Sequence, residues 1–168
     1  MNQNHKRILY HASTVEVRNP LTSVGRQELD FGPGFYVTED YSQAVKWART
    51  VASRKRGAKA VVNTYEFDDE GFQNRPFNRI LFSSYSIEWL EFVTRSRKGG
   101  RPWGGFDWIE GGVANDKVIS TVDAYVDGFI NAEQALDRLV NEDLRHQACI
   151  LNQEIADRYL KFRSSEEI

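Results

Sequence analysis

The sequence predicts a mixed α+β fold built as one domain. Short apolar strands and amphipathic helices follow one another at irregular spacing, without the regular strand–helix–strand rhythm of a doubly wound parallel sheet. Hydrophobic residues make up 40% of the 168 residues and aromatic residues 12%, so the chain can bury a substantial core. No linker, repeat or low-complexity segment divides the sequence, and we therefore expect a single domain over residues 1–168.

The stretch around which the chain is organised runs from residue 30 to residue 48 and combines a turn, a strand and a helix. Two glycines flank Pro33 and favour a tight turn, and Phe35-Tyr36-Val37 is a good strand sequence. Asp40 is suited to cap a helix in which apolar residues then recur at helical spacing. Taken alone, this pattern favours an ordinary strand–helix junction with a half-buried Tyr36, although it would also present that ring to a ligand.

The other elements are predicted from local patterns along the chain. Strands are expected at residues 7–13, 60–67, 78–82, 106–110 and 147–151. Helices are expected after cap residues or at periodic apolar positions, near 41–54, 86–93, 117–125 and 131–140. Residues 68–76 and 95–105 have the composition of loops, and the glycine pair at 111–112 is expected to end a strand. Residues 154–162 fit either a helix or a strand.

Composition and charge exclude several classes of protein. The net charge of −2 provides no overall attraction to nucleic acid or to an anionic membrane. No apolar run approaches the roughly 20 residues of a membrane helix, and the N-terminus lacks an apolar signal segment. A single cysteine, Cys149, rules out an intramolecular disulfide and is expected to be a small core residue. The sequence has no metal-spaced Cys/His set and no phosphate-binding or dinucleotide motif, so we expect a cytoplasmic protein without metal or membrane partner.

Several segments resemble motifs of the poly(ADP-ribose) polymerase-like branch of the ADP-ribosyltransferases. Residues 9–13, L-Y-H-A-S, resemble the first-strand motif L-[YW]-H-G-[ST], and residues 31–38 resemble the second motif F-G-x-G-[IF]-Y. The helix after them resembles the family's S-x-x-A helix, and residues 147–151 stand where the third-motif strand opens with Glu. The chain also resembles a group of small bacterial proteins of unknown function that carry D-x-x-x-G-x-[VI]-A-x-D, here residues 107–116.

This resemblance implies two packed, partly split antiparallel sheets with flanking helices and NAD⁺ in the cleft between them. His11 would hydrogen-bond a ribose hydroxyl, and the backbone of Ala12 would pair with the nicotinamide carboxamide. Tyr36 would stack on the nicotinamide ring, while Ser42 and Trp47 would line the same pocket.

The sequence departs from the family pattern at two positions, because Ala12 replaces the usual Gly and Gln147 replaces the third-motif Glu. A carboxylate stabilises the positive charge that develops on the ribose, whereas an amide can only orient the hydroxyl. Either Gln147 suffices as the catalytic residue for mono-transfer, or another carboxylate supplies the charge, with Glu110 and Asp116 as candidates and Asp107 behind them. For Glu110 an exposed strand position is the favoured alternative, and for Asp116 a helix cap.

The function implied by the resemblance is NAD⁺-dependent mono-ADP-ribosyl transfer to a protein or nucleic acid, in a bacterial toxin paired with a small antitoxin protein. Two alternatives stay open: a non-catalytic module that binds NAD⁺, ADP-ribose or a partner, and an NAD⁺ glycohydrolase. Arg26 is a candidate for the pyrophosphate, since Arg pairs well with phosphate oxygens. The basic runs at 54–59 and 95–101 are expected to be solvated faces, with guidance of an acidic macromolecule as the alternative.

Overall fold

The computed structural model describes residues 6–26, 29–114 and 116–168. These residues form seven strands and six α-helices, so the fold is mixed α+β, as the sequence predicts. The strands are β1 (Lys6–Ser13), β2 (Phe35–Val37), β3 (Val61–Asp68), β4 (Arg79–Leu81), β5 (Trp108–Gly112), β6 (His146–Ile150) and β7 (Leu160–Glu167). The helices are α1 (Tyr41–Ser53), α2 (Asp69–Gln73), α3 (Ile87–Arg97), α4 (Asp116–Val126), α5 (Ala132–Leu139) and α6 (Gln153–Tyr159).

The strands form two sheets. One has the order β1-β3-β7 and is antiparallel throughout. The other has the order β2-β6-β5-β4 and is antiparallel except for the β4–β5 pair. A parallel pair needs a long crossover, and α3 lies within the connection between β4 and β5.

An apolar core fills the space between the two sheets. Leu9, Tyr65 and Phe67 enter it from the three-stranded sheet, while Phe35 and Trp108 enter it from the four-stranded sheet. Helix α1 packs on the outer face of the three-stranded sheet, and α3, α4 and α5 pack on the outer face of the other. The chain is therefore layered as helix, sheet, sheet and helices.

The two sheets are joined at one edge by an isolated bridge between β1 and the end of β2. The backbones of Tyr10 and Thr38 exchange two hydrogen bonds of 2.8 and 2.9 Å. Just beyond this bridge along each strand lie His11 and Ala12 on β1 and Tyr36 on β2. The point where the sheets part therefore brings these residues together.

Local patterns in the sequence located several helix starts and one core residue correctly. Asp40, Ser86 and Asn131 each accept a hydrogen bond from the backbone N–H three residues further on, as N-caps do. Cys149 is fully buried, as predicted, and burial raises the pKa of its thiol to about 12.

Two local predictions were wrong. Residues 68–76 are not only a loop, because α2 forms there with Asp68 as its cap and Phe72 buried between the sheets. The glycine pair does not stop the strand at residue 110 either, since β5 includes both glycines and ends at Gly112. A Cβ at Gly112 would lie 2.4 Å from the ring of Tyr85, so the missing side chain makes room for a packed aromatic residue.

The ambiguous C-terminal segment contains both alternatives. Asn152 caps α6, and β7 begins directly where α6 ends, then pairs with β3 and extends to Glu167. Within the described residues, no helix is both long and apolar enough to cross a membrane.

Candidate functional site

A cavity of about 380 Å³ lies where β1 and β2 part, beside α1 and the end of β5. This volume is within the usual range for small-molecule sites. Five residues that the sequence singled out line it: His11, Ala12, Tyr36, Trp47 and Gln147. Its apolar walls include Leu29, Val51, Val113 and Ala114. Residues from β1, β2, α1 and β6 therefore converge on one site.

Tyr36 is held rigidly against the glycine turn that precedes it. Its hydroxyl donates to the carbonyl oxygen of Gly32 (2.7 Å) and accepts from the backbone N–H of Phe31 (3.0 Å). Gly32 has a φ of +94°, and a Cβ there would lie 2.5 Å from the indole of Trp103, so the turn requires glycine. Burial raises the pKa of the Tyr36 phenol, which therefore stays neutral. The turn presents the ring to the cavity in one orientation.

His11 is neutral, and its tautomer follows from its hydrogen bond. The ring packs on Phe35 with centroids 4.0 Å apart, and Nδ1 lies 2.7 Å from the carbonyl oxygen of Tyr36. Burial lowers the pKa of His11 to about 4, so the ring carries one proton on nitrogen at pH 7. Because a carbonyl oxygen only accepts, that proton is on Nδ1, and Nε2 is an acceptor for a ligand hydroxyl.

Gln147 is oriented by the hydrogen bonds that its amide nitrogen donates. Nε2 lies 3.1 Å from the carbonyl oxygen of Gly112 and 3.4 Å from Oδ2 of Asp30. The residue is 3% exposed, so its amide is nearly withdrawn from bulk water. This arrangement makes Oε1 the end of the amide that can accept a hydrogen bond from a ligand.

Three charged residues that the sequence interpretation did not assign to the site also line the cavity. Asp30 and Arg97 form an ion pair, with 2.9 Å between Oδ1 and Nε, and Arg54 lies in the same lining. Asp30 opens the glycine turn, and its position directly before that turn is the signal that could have identified it. Arg97 belongs to a run that was interpreted as a solvated face, and no local pattern predicts a partner 67 residues away.

Glu110, a candidate for catalysis, lies outside the cavity in a network that joins three strands. Its carboxylate accepts from Arg7 (2.6 Å), from Nε2 of His146 (2.6 Å) and from the indole of Trp108 (2.9 Å). Burial alone would raise the pKa of Glu110, but the His146 hydrogen bond and the charge of Arg7 lower it to about 2. The network fits a structural role.

The other candidates do not line this cavity. Ser42 lines a separate polar cavity and donates to Asp40 (2.6 Å), while Arg26 is exposed. The carboxylate of Asp107 accepts from the backbone N–H of Asn78 and from the side-chain amide of Asn152, so it stabilises a turn. Asp116 begins α4, but its side chain lies outside the described residues.

The site lies within a segment that matches a known family. No curated protein and no solved structure matches the chain. A family model described as a protein of unknown function, DUF3990, matches residues 7–162, a span that contains every lining residue named above. The chain belongs to the DUF3990 family.

Proposed function

We propose that this chain is an NAD⁺-dependent mono-ADP-ribosyltransferase with an ADP-ribosyltransferase-like fold. One observation carries the proposal: His11, Tyr36 and Gln147, which occupy the positions of the three family motifs, line a single cavity. They come from three different strands, and His11 and Gln147 are 136 residues apart in the sequence. Motif resemblance and spatial convergence are separate observations that point to the same chemistry.

The cavity offers a distinct contact for each part of the nicotinamide riboside. The nicotinamide ring of NAD⁺ is a cation, and the face of Tyr36 attracts cations as well as offering apolar contact. Nε2 of His11 accepts from one ribose hydroxyl, and Oε1 of Gln147 accepts from another. Trp47 supplies further aromatic surface, and the backbone of Ala12 pairs with the carboxamide. Ligand recognition thus uses neutral groups in the depth of the cavity.

The proposed acceptor of the ADP-ribosyl group is a macromolecule. The proposed biological role is that of a toxin held inactive by a small antitoxin protein. Arg54 places positive charge in the cavity lining, where it favours a ligand with phosphate groups, whereas the charge of Arg97 is taken up by its ion pair with Asp30. The uncharged Gln147 favours a second candidate function, a module that binds NAD⁺ without turnover, because an amide adds no charge to stabilise the ribose cation.

Incubation with NAD⁺ labelled in its adenylate half, in the presence of bacterial lysate, tests the proposal. We expect label in a protein or nucleic-acid fraction and release of nicotinamide. His11→Ala should abolish both, while Thr50→Ala, an exposed position on α1, should leave both unchanged. Nicotinamide release without labelled macromolecule would identify a glycohydrolase instead. Bound but intact NAD⁺ would identify the non-catalytic module.

A further inference from the structure

Asp30 is the acidic side chain among the described residues that line the cavity. Its side chain is 13% exposed. One carboxylate oxygen accepts from Nε of Arg97 at 2.9 Å, and the other lies 3.4 Å from Nε2 of Gln147. A carboxylate with so little access to water needs such hydrogen-bonding and charged partners. The anionic group therefore lies beside the amide that stands at the third-motif position.

The ion pair with Arg97 does not cancel the charge of Asp30 completely. Nη1 of Arg97 also lies 3.2 Å from Oδ1 of Asp123, whose side chain is 59% exposed. One guanidinium is thus shared by two carboxylates and neutralises neither of them fully, although Arg54 in the same lining brings the four side chains to no net charge. Charge acts more strongly in a cavity of low dielectric than in water, so the carboxylate of Asp30, with Oδ2 3.4 Å from Nε2 of Gln147, acts strongly on a group bound beside that amide.

Glu110 cannot take this role in the observed arrangement. Its carboxylate is occupied by Arg7, His146 and Trp108, in a separate network. It is also absent from the described lining of the cavity. Among the described residues, this leaves Asp30 as the carboxylate that lines the cavity beside Gln147.

We propose that Asp30 stabilises the positive charge that develops on the ribose when NAD⁺ is cleaved, an inference that rests on the proposed function. The bond between ribose C1′ and the pyridinium nitrogen breaks heterolytically, and its electron pair stays on nitrogen, so nicotinamide leaves as a neutral molecule. The positive charge moves to C1′ and the ring oxygen, where the carboxylate of Asp30 stabilises it electrostatically. An acceptor oxygen or nitrogen then bonds to C1′ with its own electron pair and releases its proton to solvent.

Two residues thereby divide the work that the family pattern assigns to one Glu. Gln147 orients a ribose hydroxyl through its amide, and Asp30 supplies the charge. The division explains how a site with an amide at the third-motif position can still support the reaction. It also predicts that the two groups can exchange roles.

A charge-swap experiment tests this inference by measuring nicotinamide release and NAD⁺ binding in the same variants. Asp30→Asn should slow release about 100- to 1000-fold while the NAD⁺ Kd changes little, because the lost interaction is strongest in the transition state. Gln147→Glu should also slow release, since a second carboxylate beside Asp30 raises one pKa by repulsion. The double variant Asp30→Asn/Gln147→Glu restores one carboxylate and one amide, and should be at least about 10-fold faster than Asp30→Asn.

The matched control is Asp137→Asn, which removes an exposed carboxylate on α5 that is absent from the described cavity lining, and it should leave release near the wild-type rate. Release by Asp30→Asn within threefold of wild type would overturn the role of Asp30 while the proposed function stands. If Asp30→Asn does not fold, the double variant Asp30→Asn/Gln147→Glu decides the question: a folded double variant that releases no nicotinamide would overturn the role of Asp30. Wild-type protein that neither binds nor cleaves NAD⁺ would overturn both the inference and the proposed function.

Discussion

His11 shows how the fold selects one chemical state of one side chain. The hydrogen bond to the Tyr36 carbonyl oxygen selects the Nδ1–H tautomer, and burial lowers the pKa of the ring from 6.5 to about 4. The free nitrogen lone pair that the proposed contact with a ribose hydroxyl requires is therefore present across the physiological pH range.

The same burial predicts how stability depends on pH. The unfolded chain takes up a proton on His11 near pH 6.5, whereas the folded chain resists it until about pH 4. The contribution of His11 to the unfolding free energy is therefore fully present above pH 6.5 and is lost as the pH falls below that value. Between pH 6.5 and 4.5, wild type should lose about 2 to 3 kcal/mol more unfolding free energy than His11→Gln in urea titrations. Equal losses in the two proteins would contradict a buried neutral His11.

Individual site residues were predictable where a local pattern contains them. His11 and Tyr36 lie in contiguous motifs, and Gln147 opens an apolar strand, so each was recognisable from its neighbours. Asp30 and Arg97 were not assigned, because their ion pair depends on how α3 packs beside the glycine turn. Tertiary contacts of this kind leave no periodic signal in the sequence.

At the scale of secondary-structure elements, Glu110 fastens the two sheets to each other. Glu110 lies on β5 of the four-stranded sheet and accepts a hydrogen bond from His146 on β6 of the same sheet. It also forms an ion pair with Arg7 on β1 of the three-stranded sheet. Removal of this half-buried carboxylate would leave its three hydrogen-bond donors unpaired. Unpaired donors in such a place lower the free energy of unfolding.

Glu110→Gln should therefore reduce the unfolding free energy by about 2 to 4 kcal/mol, because an amide keeps the size but loses the charge. Urea denaturation measures this loss, and Glu154→Gln is the matched control. Glu154 pairs with two arginines at the surface, where such pairs contribute at most about 1 kcal/mol. At temperatures where Glu110→Gln is folded, its NAD⁺ cleavage should be normal. If Glu110→Gln has the unfolding free energy of wild type but no longer cleaves NAD⁺, Glu110 has a catalytic role instead of a structural one.

At the scale of the whole molecule, the layers explain which elements the sequence predicts and which it does not. Helices with clear caps and a periodic apolar face were predictable from local chemistry. Helix α2 was missed because its formation depends on burying Phe72 between the sheets, and the extent of β7 depends on pairing with β3. The cavity arises in the same way, since it exists only where the two sheets part.

The central claim is that this cavity binds NAD⁺ with its nicotinamide ring on Tyr36, and calorimetric titration with NAD⁺ tests it most directly. Wild type should bind NAD⁺, with nicotinamide in competition. Tyr36→Phe keeps the ring and should retain binding, whereas Tyr36→Leu keeps apolar volume without the ring and should weaken it about 10-fold relative to Tyr36→Phe. Both variants lose the hydroxyl bonds to the turn, so their difference isolates the stack. Folded wild type that gives no heat at millimolar NAD⁺, or Tyr36→Leu that binds as tightly as Tyr36→Phe, would contradict the account.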